Sequence, residues 1–295
     1  MTLPIADVTP PRPARDFSEA EERFAALCRL DEDPLIAWWG RSRAFLHEGR
    51  TPLAIVLLHG FTSSSQQFVT LAETLQSRGH NAIVPRLPGH GDADRKGTRL
   101  AGTRVEQWLA TVEESIDIAS GLGERVAVAG ISASGALAAW FALSRRDIAH
   151  AVGVAPMFGI LHFPAVIDEL LLPALLTLPD FQMKWDPFGD GRQITNHSYP
   201  RFPTHGLAQC LRLGLDVYTR APIEPARSQV TLILNEHDPA VNNAMAAEIA
   251  TCWKAAGAKT VTLRDLPVIH DIIDPANPYQ RTDIVYPALI EALES

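Results

Sequence analysis

The stretch Val126-Ala127-Val128-Ala129-Gly130-Ile131-Ser132-Ala133-Ser134-Gly135-Ala136-Leu137-Ala138-Ala139 decides how this chain is read. An apolar run enters a group of small residues and leaves directly as a second apolar run. That pattern predicts a buried strand, a sharp turn and a helix. A serine on such a turn is forced into a strained backbone conformation, and its hydroxyl stands above the carboxyl edge of the sheet. Small neighbours are needed because the turn brings backbone segments together. The helix N-terminus adds free N–H groups and a positive dipole, which suit a developing oxyanion. Spacing from Gly130 selects Ser132 as the nucleophile of a G-x-S-x-G turn. Ser134 stands where the second glycine is usual and is the rival nucleophile.

Outward from this turn the chain alternates. Strands are expected at Leu53 to Leu58, Asn81 to Pro85, Arg125 to Ala129, Ala151 to Ala155, Val230 to Leu234 and Thr260 to Leu266. Helices are expected between them, at Phe68 to Leu75, Val105 to Ile116, Ala133 to Leu143 and Asn243 to Ala256, and a last one from Tyr279 to Ala292. Continuous apolar runs such as Leu53 to Leu58 mark strands buried on both faces. The βαβ rhythm implies an α/β fold with a mostly parallel sheet between helices. The rhythm breaks between Met157 and Arg227, a Leu-, Pro- and aromatic-rich segment without a clear strand. The expected division is therefore an N-terminal extension and helix (1–50), a core (51–156 and 228–295) and a cap inserted over the sheet edge (157–227). Residues 1–16 are Pro-rich and expected to be loosely ordered. Ser18 and Glu21 form a capping-box pattern for the first helix.

A serine hydroxyl needs a histidine base, and the histidine needs a carboxylate to fix its tautomer. After the nucleophile the acid is expected first and the base second, each on a loop after a later strand. Asp238 fits the acid, four residues past Leu234, with Glu236 as the close alternative. His270 fits the base, four residues past Leu266, and His237 is a weaker choice because it shares a loop with the acid. Asp274 with Pro275 reads as the cap of the last helix. The strand Leu53 to Leu58 runs into His59-Gly60-Phe61-Thr62-Ser63-Ser64-Ser65. The glycine lets the next N–H turn toward the nucleophile, so Phe61 and Ala133 N–H form the expected oxyanion hole. His59 reads as a loop-binding residue rather than an acid–base group. The hydroxyls of Thr62 to Ser65 read as caps of the following helix. The turn-rich Arg86-Leu87-Pro88-Gly89-His90-Gly91-Asp92 is structural first, and shapes the site mouth second.

Taken in order, HGFTSSS, PRLPGHG, VAVAGISASG, NEHD and VIHDIID resemble the α/β-hydrolase superfamily. They are most similar to its bacterial carboxylesterase and monoacylglycerol-lipase-like branch, whose members carry HGF-T, P-x-x-x-GHG and a G-L-S-x-G-G elbow. The resemblance covers roughly residues 53–156 and 228–293. It implies an α/β-hydrolase fold, Ser132, Asp238 and His270 as nucleophile, acid and base, and Phe61 and Ala133 as oxyanion donors. Ser134 is the main departure.

In this fold the segment after the sixth sheet strand commonly forms a cap over the serine, here Met157 to about Arg227. Leu161, Phe163, Leu170 to Leu172, Leu175, Leu176, Phe181, Met183, Trp185 and Phe188 offer it apolar lining. Most of these are expected to form the cap's own core, and some to line an acyl pocket. Phe61, Trp185, Met157 and Leu161 are the expected substrate contacts. No Arg/Lys cluster in the cap points to an anionic substrate, so the expected substrate is an uncharged ester of short to medium acyl length.

The chain has 295 residues, 20% of them charged and 46% hydrophobic, with a net charge of −8. The negative charge argues against a nucleic-acid partner. No run approaches a membrane span and no signal peptide is visible. The cysteines Cys28, Cys210 and Cys252 lack disulfide or metal spacing and suggest reduced thiols in the cytoplasm. No metal or cofactor motif is present. The expected function is hydrolysis of carboxylic esters through an acyl-enzyme on Ser132. The alternatives are amide, thioester or carbon–carbon hydrolysis, acyl transfer or perhydrolysis on the same residues, or a non-catalytic binding protein of the same fold. Oligomeric state is not legible.

Overall fold

A computed structural model describes residue 5 and residues 10–161, 163–185 and 193–295. The strands β1 (Arg43–Phe45), β2 (Thr51–Leu58), β3 (Asn81–Val84), β4 (Gly123–Ile131), β5 (His150–Val154), β8 (Gln229–Asn235) and β9 (Lys259–Leu263) form one seven-stranded sheet in the order β1-β3-β2-β4-β5-β8-β9. Only β1 runs antiparallel to its neighbour. Every β2 residue except Pro52 is buried, as a strand covered on both faces requires. The helices α2 (Val69–Ser77), α3 (Val105–Leu122), α4 (Ala133–Ser144), α7 (Asn243–Cys252) and α8 (Thr282–Glu294) alternate with these strands. From Ala133 to Leu143, α4 is buried all round, so it has no polar face.

Sheet register sets where the site lies. Leu58 pairs with Gly130, Ile131 with Val154, and Val154 with Ile233. The carboxyl ends of β2, β4, β5 and β8 therefore finish along one edge. From β2 the chain moves to β3 on one side, then crosses to β4 on the other. Strand order reverses there, and crevices of parallel sheets open at such a switch point. Gly60 follows β2 and Ser132 follows β4, so both emerge at it.

Between β5 and β8 lie α5 (Ala165–Thr177), a short antiparallel hairpin of β6 (Gln182–Lys184) and β7 (Arg201–Pro203), and α6 (Thr204–Arg220). The hairpin was not legible because each strand has only three residues. Pro187 and Phe188 lie outside the described residues.

The N-terminal helix α1 (Phe17–Arg29) is capped by Asp16, whose Oδ1 accepts from Glu19 N–H at 2.9 Å, and not by Ser18. Of the preceding segment, residues 1–4 and 6–9 lie outside the described residues, and the stretch just before the helix is tied down rather than loose. Arg12 N–H donates to Asp117 Oδ2 and Ala14 N–H to Asp117 O, each at 2.8 Å. The helix lies on α3, where Arg23 pairs with Glu114 at 2.8 Å. The last helix starts at Thr282, later than its apolar pattern suggested.

Candidate active site

Ser132 sits between β4 and α4 at φ 60°, ψ −124°. For a non-glycine residue this conformation costs ~1–3 kcal/mol and must be held by its surroundings. Its N–H donates to Val154 O at 2.9 Å, and its carbonyl accepts from Met157 N–H at 3.0 Å and Ala136 N–H at 3.2 Å. A Cβ on Gly130 would stand 2.2 Å from the Ser134 carbonyl oxygen, so only glycine permits the turn. Ser134 is buried, and its hydroxyl donates to His59 O at 2.5 Å. The residue at the usual glycine position is thus a brace between the turn and the loop after β2.

That loop passes beside the serine. A Cβ built on Gly60 would lie 3.8 Å from Ser132 Cβ. Gly60 N–H donates to Gln67 Oε1 at 2.8 Å, and Ser63 N–H to Gly60 O at 3.1 Å. His59 Nε2 accepts from Leu87 N–H at 3.2 Å, which leaves Nδ1–H to donate to Gly60 O at 3.1 Å. This is the loop-binding role expected of His59. Burial, then the neighbouring His90, keeps its pKa well below the usual histidine value. His90 Nε2 lies 2.8 Å from Phe61 O, and burial lowers its pKa to about 4, so it is neutral. Ala133 is the first residue of α4, and its N–H has no acceptor within the helix. Phe61 lines the same cleft as Ser132, and Ala133 follows Ser132 in the chain.

Asp238 and His270 meet although 32 residues apart. His270 Nδ1 lies 2.8 Å from Asp238 Oδ2 and 3.1 Å from Oδ1. Asp238 Oδ1 also accepts from Ala240 N–H at 2.8 Å and Val241 N–H at 3.1 Å, which fixes the carboxylate. His270 Nε2 is buried with no hydrogen-bond partner. Burial lowers the His270 pKa, but the charge and hydrogen bond of Asp238, with the charge of Asp271, raise it further, to a net value above the usual one. His237 turns away, with Nδ1 at 3.2 Å from Leu266 O. Asp274 does not cap α8: its Oδ2 meets His197 Nε2 at 2.6 Å. The strand before His270 ends at Leu263, so the loop carrying His270 is longer than expected.

A small, partly open cleft joins Ser132 and His270. Gly60, Phe61, Thr62, Ser63, Gln67, Ile131, Ser132, Trp185, Gln193, Ser198, His270 and Asp271 line it. The ring of Trp185 is 5.5 Å from that of His270. Of the expected substrate contacts, Phe61 and Trp185 reach the cleft. Leu161 lines a different groove, with Glu236 and the far side of Asp238. Met157 is buried behind Ser132, its carbonyl against Gly214. The expected apolar cap lining is also displaced: Phe163, Leu170, Phe181 and Met183 are exposed to solvent. The hydroxyls of Thr62 to Ser65 are not helix caps. Ser65 Oγ donates to Gly40 O at 3.3 Å, while Ser63 Oγ and Ser64 Oγ are buried without partners. Gln67, Gln193 and Ser198 were not singled out from sequence, since only long-range packing brings them here, whereas Asp271 comes with its neighbour His270. Among the described residues no group of His, Cys, Asp or Glu is placed to hold a metal ion.

A mostly parallel sheet, a strained serine after its central strand and a buried histidine at the same edge define a hydrolase-type α/β architecture. The chain belongs to the alpha/beta hydrolase family, whose model matches residues 55–271. It is 26% identical over 194 residues to the thermostable monoacylglycerol lipase of Bacillus sp. (strain H-257), covering 64% of this chain and 72% of that one. It is 27% identical over 125 residues to a carboxylesterase of Bacillus subtilis (strain 168), covering 42% and 47%. Among solved structures it resembles the monoacylglycerol lipase of Paleococcus ferrophilus, with TM-score 0.67, 17% identity, and 85% and 97% of the two chains covered. It also resembles a structure described with the metagenome-derived lipolytic enzymes LipS and LipT, with TM-score 0.68, 17% identity, and 88% and 99% covered. At these identities the structural likeness carries the fold. Among the described residues no helix is long and apolar enough to cross a membrane.

Proposed function

We propose that this protein hydrolyses uncharged carboxylic esters through an acyl-enzyme on Ser132. One observation carries the reading. Ser132, at its strained turn, shares a cleft with His270, whose Nδ1 is bonded to Asp238 and whose Nε2 is unpaired. In this mechanism His270 Nε2 takes the hydroxyl proton as Ser132 Oγ attacks the acyl carbon. Asp238 accepts from Nδ1–H and so keeps Nε2 free of its proton in the resting state. The N–H groups of Phe61 and Ala133 hold the charge that develops on the carbonyl oxygen. His270 then protonates the leaving alcohol. Water, deprotonated by His270, resolves the acyl-enzyme.

The chemistry of the cleft supports a small, uncharged substrate. No Lys or Arg is among its described lining residues, and little free space is enclosed between them. Trp185 is the largest apolar side chain among its described lining residues. The names of the Bacillus relatives agree with ester cleavage and put monoacylglycerols among the substrates to try.

Fluorophosphonate labelling tests the nucleophile: wild type should be modified and Ser132→Ala should not. An unlabelled wild type, or equal labelling of the variant, overturns the mechanism. A series of p-nitrophenyl esters of rising chain length, run beside monoacylglycerols and matched amides, tests the substrate class. Turnover of amides in preference to esters would reject it.

A further inference from the structure

The loop carrying His270 and the loop carrying Phe61 are joined by a ring of polar contacts that passes through the segment between β5 and β8. Gly60 N–H donates to Gln67 Oε1 at 2.8 Å. The Gln67 side chain also interacts with the Asp271 carboxyl, next to His270, and draws its pKa down against the effect of burial; both side chains line the cleft. Asp271 Oδ1 accepts from Asp274 N–H at 3.2 Å. Asp274 Oδ2 meets His197 Nε2 at 2.6 Å, with both residues buried. Two residues on, Tyr199 N–H donates to Thr62 O at 2.7 Å, which returns to the loop where the ring began. Gly60, Thr62, Gln67 and Asp271 all line the cleft, so the ring runs along its wall.

The segment around His197 is itself anchored. The Tyr199 hydroxyl accepts from Gly91 N–H at 2.6 Å and Asp92 N–H at 3.1 Å. Arg95 donates to Ser198 O at 2.8 Å and Thr195 O at 2.7 Å. A rigid strap therefore spans from the turn after β3 to both candidate catalytic loops. Side chains meeting across 77 residues, as His197 and Asp274 do, specify a tertiary position rather than a local fold.

We infer that Gln67, His197 and Asp271 are positioning residues, which fix the distance between the oxyanion donor at Phe61 and the base His270 through this ring. The inference rests on the serine-hydrolase reading above. Asp271 and Gln67 act on the His270 loop from the nucleophile side, and His197 acts on it from the strap side. A base and an oxyanion site must hold the same reacting carbonyl at once, and a displacement of about 1 Å between them can cost ~100-fold in rate.

The test compares Gln67→Leu, His197→Phe and His197→Gln with wild type, by kcat and KM on a p-nitrophenyl ester and by thermal unfolding. Gln67→Leu cuts the ring beside Gly60, and His197→Phe cuts it at the strap. Each should lower kcat ~10- to 100-fold with KM little changed. His197→Gln keeps an N–H donor for Asp274 and should recover most of that loss. Wild-type kcat in folded Gln67→Leu and His197→Phe would overturn the inference. So would a loss of rate in His197→Gln as large as in His197→Phe at equal melting temperatures. Ser132→Ala and fluorophosphonate labelling serve as the control. If wild type is labelled and Ser132→Ala is dead while the ring variants are fully active, only the positioning role fails. If wild type is not labelled, the hydrolase reading itself fails.

Discussion

Ser134 Oγ donates to the carbonyl oxygen of His59 at 2.5 Å, joining the turn after β4 to the turn after β2. Both turns supply a candidate oxyanion donor, Ala133 from the first and Phe61 from the second. The serine that interrupts the usual glycine pattern therefore ties together the two halves of the expected oxyanion hole.

Ser132→Ala and Ser134→Ala should behave as opposites. Ser132→Ala should lower kcat by ~10,000-fold or more while the fold is kept. Ser134→Ala leaves the buried His59 carbonyl without this donor, at a cost of about 1–3 kcal/mol in stability. It should still label with fluorophosphonate and keep most of its activity. Denaturation midpoints beside initial rates separate the two, and inactivity of a folded Ser134→Ala would return Ser134 to candidacy.

The pH profile should carry the mark of Asp238. A base must be neutral to accept a proton, so kcat/KM should rise with pH through the His270 pKa. Burial alone would place that pKa low, and the Asp238 pair raises it above the usual histidine value. Asp238→Asn removes the raising charge and leaves the burial. The acid limb should move to lower pH, while the maximal rate falls ~10,000-fold, as expected for an imidazole held in the wrong tautomer. An acid limb that stays in place would show that another group sets it.

How much of this was legible depended on range. The strands and helices around Ser132 were readable because each is a continuous apolar run, and β2 and α4 are buried almost throughout. Asp238 and His270 were readable because strand ends of a parallel sheet converge. β1 was not, since it has three residues and an exposed centre. Asp274 was misread because a local rule, Asp before Pro as a helix cap, competed with a partner at His197 that no nearby residue announces. The Thr62 to Ser65 hydroxyls failed for the same reason: Ser65 reaches Gly40, 25 residues away.

Asp168 on α5 should weaken the fold as pH rises. Its side chain is buried, Oδ2 accepts from Ile160 N–H at 3.1 Å, and Oδ1 has no partner. Burial raises its pKa from an ordinary 3.8 to about 6. The folded chain therefore holds this proton more tightly than the unfolded chain. Its contribution is favourable at low pH and is lost as pH climbs through about 6. Asp168→Asn should stabilise the protein on the order of 1–3 kcal/mol at pH 8 and little at low pH. Melting curves at both pH values check this, and an equal shift at each would refute it.

Two glycines should separate the turn from the cleft wall. A Cβ at Gly130 would meet the Ser134 carbonyl at 2.2 Å, and backbone cannot rotate away as a side chain can. Gly130→Ala must displace the turn itself, so both stability and kcat should fall, the first on the order of 3 kcal/mol or more. A Cβ at Gly206 on α6 would meet Phe61 Cζ at 2.6 Å, the far end of a side chain. The ring can shift against Trp108 and Phe202, its neighbours at 6.1 and 5.9 Å, while His90 keeps hold of Phe61 O. Gly206→Ala should therefore cost only ~1–3 kcal/mol and change KM more than kcat, because the ring moves and the N–H stays. Steady-state kinetics on both variants decide it. A kcat loss in Gly206→Ala as deep as in Gly130→Ala would mean that the Phe61 ring and its N–H move together.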